Sequence, residues 1–138
     1  MTRTLALDVG ERRIGVALSD ADGIIAQPLM VIERRGGAAD VAHIAAVVSE
    51  RAADRVVVGY PLTLAGKAGT QARRMDRFIE RLRKAVRVEV VAVDERLSTT
   101  AAERALLEGG LRRERRRQVR DAVAAALILQ GYLDRRRT

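Results

Sequence analysis

Carboxylates stand at three separated points of the chain where they could act together on a phosphate ester. Asp8 ends the first apolar segment, Asp94 and Glu95 end another, and Asp121 lies just before the apolar stretch AVAAALILQ. With no cysteine and one histidine in the sequence, the chain offers a metal mainly oxygen donors, which suit hard cations such as Mg²⁺ or Mn²⁺. Two such ions about 4 Å apart would activate water and stabilise the leaving 3′-oxygen of a phosphodiester. The acids therefore predict metal-dependent phosphodiester hydrolysis.

Each of these acids also has a purely structural explanation. Asp8 could begin a turn and bond to its own backbone, and the acid pair could be a solvated strand exit. Asp121 could lie in the first turn of a helix, where an acid favours the helix dipole by about 0.3–1 kcal/mol. Six arginines within 112–120 nevertheless surround this acid with a potential anion-binding surface.

Only one of Asp94 and Glu95 can join a shared site while the strand stays regular, because adjacent side chains of a strand point to opposite faces. Val91, Val93 and Glu95 share one face, and Asp94 falls on the other. Since both faces are apolar, alternation does not choose between the two acids.

The charge of the chain predicts a polyanionic partner. The formal net charge is +8 with a pI near 11.2, and all but two of the 26 basic residues are arginine. A GC-rich genome would also raise the arginine content, but nine arginines against three acids in 111–138 are clustered, which is typical of nucleic-acid binding. We assign phosphate contacts to six arginines that lie near the acids: Arg12, Arg13, Arg96, Arg115, Arg116 and Arg117.

The elements that must position these residues form a mixed sheet. Three short strands joined by short turns predict an antiparallel meander, and two further strands, each reached through a helix, predict parallel crossovers. Helices then cover both faces of a five-stranded α/β sheet. The glycine-bearing loop 59–69 is expected to be mobile and to border the substrate groove. The predicted strands are 4–8, 14–18, a run toward 30–32, 55–59 and 86–93, and the predicted helices are 40–51, 70–84, 100–107 and about 115–133.

Length and hydropathy limit the class of protein. The 138 residues, 48% of them hydrophobic, have the size of one ordinary domain, which we expect to span 1–138. No apolar run approaches the ~20 residues of a membrane span, and Asp8 stands too early for the core of a signal peptide. We therefore expect a cytoplasmic protein that does not bind membranes.

Four stretches of the chain resemble, in order and spacing, the YqgF family, whose members are also called RuvX. They are LALDVGERRIGVALSD, VVVGYPLTLAGKAGTQARRMDRFIERL, VDERLSTTAAERAL and DAVAAALILQGYLD, which are spread over residues 5–134 of the chain. The resemblance implies an RNase H-like fold with helices on both faces of a five-stranded sheet, whose first three strands are antiparallel. It also implies a nuclease that uses Mg²⁺ or Mn²⁺, with Asp8, Glu95 (or Asp94) and Asp121 as catalytic metal ligands.

This resemblance favours maturation of the 5′ end of pre-16S rRNA, a step of ribosome biogenesis, as the function. Cleavage of Holliday junctions in DNA is the alternative, because nothing in the sequence is specific for a 2′-hydroxyl or for a junction. A non-catalytic nucleic-acid-binding factor is a second alternative, against which the retained acids argue. The expected partners are pre-rRNA or branched DNA, with ribosomal precursor particles, and the expected state is a monomer or a weak homodimer.

Overall fold

The computed structural model describes residues 3–60, 69–94 and 113–137. The predicted helix 100–107 and most of the loop 59–69 lie outside these residues. None of the helices in the described ranges is apolar over enough of its length to cross a bilayer. The strands are β1 (Thr4–Val9), β2 (Arg13–Ser19), β3 (Ala26–Glu33), β4 (Arg55–Tyr60) and β5 (Glu89–Asp94), and the helices are α1 (Gly37–Glu50), α2 (Gly69–Ala85) and α3 (Arg113–Arg137).

These strands form one sheet in the order β3-β2-β1-β4-β5. The pairs β1–β2 and β2–β3 are antiparallel, whereas β4 is parallel to both β1 and β5. Short turns join the first three strands, while α1 and α2 serve as the crossovers that parallel pairing requires. The expected mixed sheet is thus confirmed, and the carboxyl ends of β1, β4 and β5 meet at one edge, which we call the carboxyl edge.

Alternation along β1 divides the core into two layers. Leu5 and Leu7 are fully buried with Ile44 of α1 in the layer beneath α1 and α2. Ala6 points the other way and packs with Ala17 of β2 beneath α3. β1 and β2 contribute small side chains to the layer under α3, so this helix can approach these two strands closely. We call the two sides the α1/α2 face and the α3 face.

Several boundaries differ from the sequence prediction, including the starts of α1, β5 and α3 and the end of α3. β5 begins at Glu89 rather than at 86, because Val86 and Val88 pack against the core before pairing with β4 starts. α3 begins at Arg113 rather than at about 115, since arginine is a good helix former. Asp121 therefore lies in the third turn of α3, and the helix-dipole explanation of this acid is wrong, because that effect is confined to the first turn.

Candidate active site at the carboxyl edge

Asp8 lies on the α3 face, near the carboxyl end of β1. Its neighbour Leu7 is fully buried on the α1/α2 face, so alternation turns the partly buried Asp8 to the side of Ala6. In the antiparallel pair with β2, Asp8 is opposite Gly15. Cross-strand partners share a face, and Gly15 has no side chain to occupy the space beside the acid.

The backbone of Asp121 fills that space. A Cβ atom added to Gly15 would overlap the carbonyl group of Asp121 and lie 3.0 Å from the amide nitrogen of Ala122. Glycine is therefore required at this position by the close approach of β2 and α3. The contact brings Asp121, from the far end of the chain, next to the strand residue that pairs with Asp8. Two of the predicted acids are thus assembled on one face of the sheet.

Arg13 lies between Asp121 and a third carboxylate. Its Nη1 atom is 3.8 Å from Oδ2 of Asp121, and its Nε atom is 3.5 Å from Oε1 of Glu33 on β3. Neither distance is that of a good hydrogen bond, and the Nε atom is buried without a hydrogen-bond partner. The guanidinium therefore balances the charge of the acids while one of its donors stays unused. The sequence predicted this arginine as a phosphate contact, and the structure places it beside a predicted metal ligand.

The turn that follows Asp8 is held from the side of α1. The backbone N–H of Gly10 donates to the carbonyl of Arg13 at 2.8 Å, which closes the turn. The backbone N–H of Arg34 donates to the carbonyl of Arg12 at 2.9 Å, and its guanidinium donates to the carbonyl of Gly10, also at 2.9 Å. Sequence reasoning missed Arg34, because its role depends on a contact between segments that are distant in the chain.

A buried carboxylate fixes Arg34 in turn. Asp40 of α1 is 2% exposed and accepts hydrogen bonds from Nε of Arg34 at 3.1 Å and from the backbone N–H of Arg35 at 2.9 Å. Burial raises the pKa of Asp40, but the hydrogen bonds from Arg35 and Arg34 outweigh it and hold this pKa below its ordinary value. Asp40 is therefore ionised at neutral pH, and the support of the turn is kept.

The remaining predicted site residues are placed only in part. Arg12 is exposed in the β1–β2 turn, and Asp94 is the last residue of β5, paired with Tyr60. Val93 packs against the cluster of the α3 face, which is the side of Asp8. No group of three carboxylates or histidines that could hold a metal occurs within 3–60, 69–94 and 113–137. Outside the described part of the chain lie Glu95, Arg96 and the side chains of Asp94, Arg115, Arg116 and Arg117.

A family profile described as "RuvX: Holliday junction resolvase" matches residues 2–135. The chain belongs to the RuvX family. It is 50% identical over 133 residues to a protein of Moorella thermoacetica, covering 96% of this chain and 95% of that protein. It is 49% identical over 134 residues to a protein of Chloroflexus aurantiacus, covering 97% of this chain and 88% of the relative. Both relatives bear the name "Putative pre-16S rRNA nuclease".

The RuvX chain is also similar in structure to RuvC. The structure of T. thermophilus RuvC in complex with a Holliday junction substrate superposes with a TM-score of 0.52 at 19% sequence identity, covering 99% of this chain and 96% of that one. This similarity confirms the RNase H-like fold that the four sequence motifs implied. The family interpretation drawn from the same motifs is likewise confirmed by the profile match.

Proposed function

We propose that this RuvX protein is a divalent-metal-dependent nuclease that matures the 5′ end of pre-16S rRNA within ribosomal precursor particles. The observation that carries the proposal is the contact at Gly15, which brings the backbone of Asp121 beside the strand partner of Asp8. The names of the two relatives at 49 and 50% identity support rRNA as the substrate.

Asp8 and Asp121 would hold the cation, with Glu95 as the third ligand. Their carboxylate oxygens are donors that Mg²⁺ and Mn²⁺ accept, so the residues fit the metal. We favour Glu95 over Asp94 because Val93 packs on the α3 face, and residues two apart in an extended chain share a face. A divalent cation bound here would lower the pKa of a coordinated water and neutralise charge on the leaving oxygen.

Arginines would position the nucleic acid at this site. Arg13 lies 3.8 Å from Asp121 and its side chain is 28% exposed, so its guanidinium is partly accessible to a phosphate oxygen. Phosphate contacts orient a strand without reading its bases, which suits a protein whose basic residues are nearly all arginine. The further phosphate contacts in this proposal are Arg12, Arg96, Arg115, Arg116 and Arg117.

Resolution of branched DNA is the second candidate function, since the family profile is described as a Holliday junction resolvase. One experiment separates the candidates: purified protein is incubated with pre-16S leader RNA and with a four-way DNA junction, each with Mg²⁺, Mn²⁺ or EDTA. We expect metal-dependent cutting of the RNA alone. Cutting of the junction alone would favour the resolvase, and binding of nucleic acid without cutting under any condition would leave a non-catalytic binding factor.

A further inference from the structure

A second basic surface lies on the α1/α2 face, across the sheet from Asp8. A groove of about 450 Å³ opens there beside the carboxyl end of β1, next to the start of α1 and the middle of α2. Val9 and Phe78 contribute an apolar floor, and none of the described residues that line the groove is acidic. Four arginines line it: Arg34, Arg74, Arg77 and Arg81. We call this surface the arginine groove.

Three of these cations form a row on α2. Arg74, Arg77 and Arg81 follow the i, i+3, i+7 spacing that places residues on one side of a helix, and they extend over about 10 Å at 1.5 Å per residue. All three are exposed, and among the described residues no carboxylate lies within ion-pair distance of them. Arg83 on the same helix differs, because it pairs with Glu80 at 2.8 Å. The row therefore holds charge that the described part of the protein does not neutralise.

Contacts with α1 and with the β1–β2 turn hold the walls of the arginine groove in place. The guanidinium of Arg34 lies 5.7 Å from the centroid of the Phe78 ring and is fixed by Asp40 and by the carbonyl of Gly10. Arg81 lies over the start of α1, since a Cβ atom on Gly37 would overlap its guanidinium. The groove is thus built by α1, α2 and the β1–β2 turn together.

The location of the arginine groove connects it to the proposed active site. Val9, which lines the groove, directly follows Asp8 in β1, and the two side chains point to opposite faces of the sheet. Arg34 reaches the carbonyl of Gly10, the next residue along. A strand that passes over the carboxyl edge at the β1–β2 turn would therefore reach both Asp8 and the groove.

We infer that the arginine groove binds the phosphodiester backbone of the nucleic-acid substrate on the side of the carboxyl edge opposite to the cleavage site. This inference rests on the proposed function for the identity of the polyanion. Guanidinium groups match phosphate oxygens in charge and geometry. A row of cations over about 10 Å suits the regularly repeated charge of a polynucleotide better than one compact anion. Since such contacts do not read bases, RNA and DNA are both accepted.

The test compares two double variants that lose the same charge. Arg74→Gln with Arg77→Gln removes two of the three arginines of the row, while Arg51→Gln with Arg87→Gln removes two exposed arginines at the opposite edge of the sheet. Both are made in an Asp8→Asn background so that binding is measured without cleavage. The dissociation constants of leader RNA and of a four-way DNA junction are measured from 50 to 300 mM KCl, and thermal unfolding checks the fold of each variant.

We expect the groove variant to bind both nucleic acids about tenfold more weakly at low salt and to lower the salt slope by about one to two, whereas the control keeps the slope. The double variant Arg74→Lys with Arg77→Lys, which keeps both charges, should retain most of the salt slope. An unchanged slope in a folded groove variant, with the parent still binding RNA, would overturn the groove and leave the proposed function intact. Pyrophosphate binding is measured in parallel. If the groove variant loses pyrophosphate binding while its RNA binding is unchanged, the groove is a small-anion site and the inference is overturned. If the groove variant loses slope while the wild type cuts neither substrate, the groove stands and the proposed nuclease function fails.

Discussion

At the carboxyl end of β1, the two faces of the sheet carry groups of opposite charge. On the α3 face, Asp8 and Asp121 lie around Gly15, and Arg13 lies between Asp121 and Glu33. On the α1/α2 face, the carboxylate of Asp40 is buried and already paired with Arg34, and the other three arginines of the groove are exposed. One face thus gathers carboxylates, and the other gathers cations.

The difference follows from the side chains beneath each helix. Ala6, Gly15 and Ala17 are small, so the backbone of α3 comes into contact with β2 and brings Asp121 with it. Leu5 and Leu7 on the opposite face support two helices instead of one, and a groove remains beside them at the carboxyl edge. Proximity between distant acids therefore depends on small residues, because larger ones would hold the helix away from the sheet.

The largest effect is expected from the α3 face. Asp8→Asn keeps the size of the side chain but removes a charged metal ligand, so cleavage should fall by about a thousandfold or more. Binding of nucleic acid should be nearly unchanged, because it depends on arginine–phosphate contacts. Single-turnover cleavage of leader RNA in Mg²⁺ measures the first effect, and a binding titration measures the second. Asp22→Asn, at an exposed acid of the β2–β3 turn, is the matched control, and full cleavage by pure Asp8→Asn would refute the metal site.

Comparing variants of Asp94 and Glu95 tests which face of the sheet holds the metal. Glu95→Gln should lower cleavage by about a hundredfold or more, whereas Asp94→Asn should change it far less, because the alternation that puts Val93 on the α3 face favours Glu95. The same cleavage assay, repeated over a range of Mg²⁺ concentrations, measures both variants. If Asp94→Asn alone inactivates the protein, the wrong acid has been chosen.

The role of Gly15 can be tested by adding a side chain where the backbone of Asp121 lies. Gly15→Ala would place a methyl group against the backbone of Asp121, which should displace α3, lower stability by about 1–3 kcal/mol and reduce cleavage by about a hundredfold. Gly131→Ala on α3 is the control, since its added Cβ meets nothing within 4 Å and should stabilise the helix by about 0.5–1 kcal/mol. Thermal unfolding and Mg²⁺ titration of the cleavage rate separate stability from positioning. An active Gly15→Ala protein with unchanged Mg²⁺ dependence would show that the contact does not position the acid.

A smaller effect is expected from the arginines of α3. Replacing Arg115, Arg116 and Arg117 by Gln should weaken binding of RNA and DNA alike and lower the salt slope by about one for each lost contact. Affinity measured between 50 and 300 mM salt gives the slope, and the Arg51→Gln, Arg87→Gln protein again serves as the reference. A slope equal to that of the reference would mean that the run is a solvated surface.

Local patterns were enough for the sheet and for the candidate acids. Apolar segments separated by short turns predict the antiparallel strands, and helices between the later strands predict the parallel pairs, because few connections satisfy both. The positions of Asp8 and Asp121 relative to apolar segments likewise predict a carboxylate site. The four motifs that resemble RuvX are spread over residues 5–134, so the family could be recognised before any coordinates.

Only the tertiary structure showed which residues from distant parts of the chain are neighbours. Alternation along β5 did not decide which face of this strand is on the side of Asp8. The packing of Val93 against the α3 face was needed to relate that strand to Asp8. Gly15 is one glycine among eleven in the sequence, and its role depends on a helix that arrives from the far end of the chain. The arginine groove combines Arg34 with the row on α2. No local pattern predicts such contacts, because the burial and the register that create them are properties of the assembled sheet.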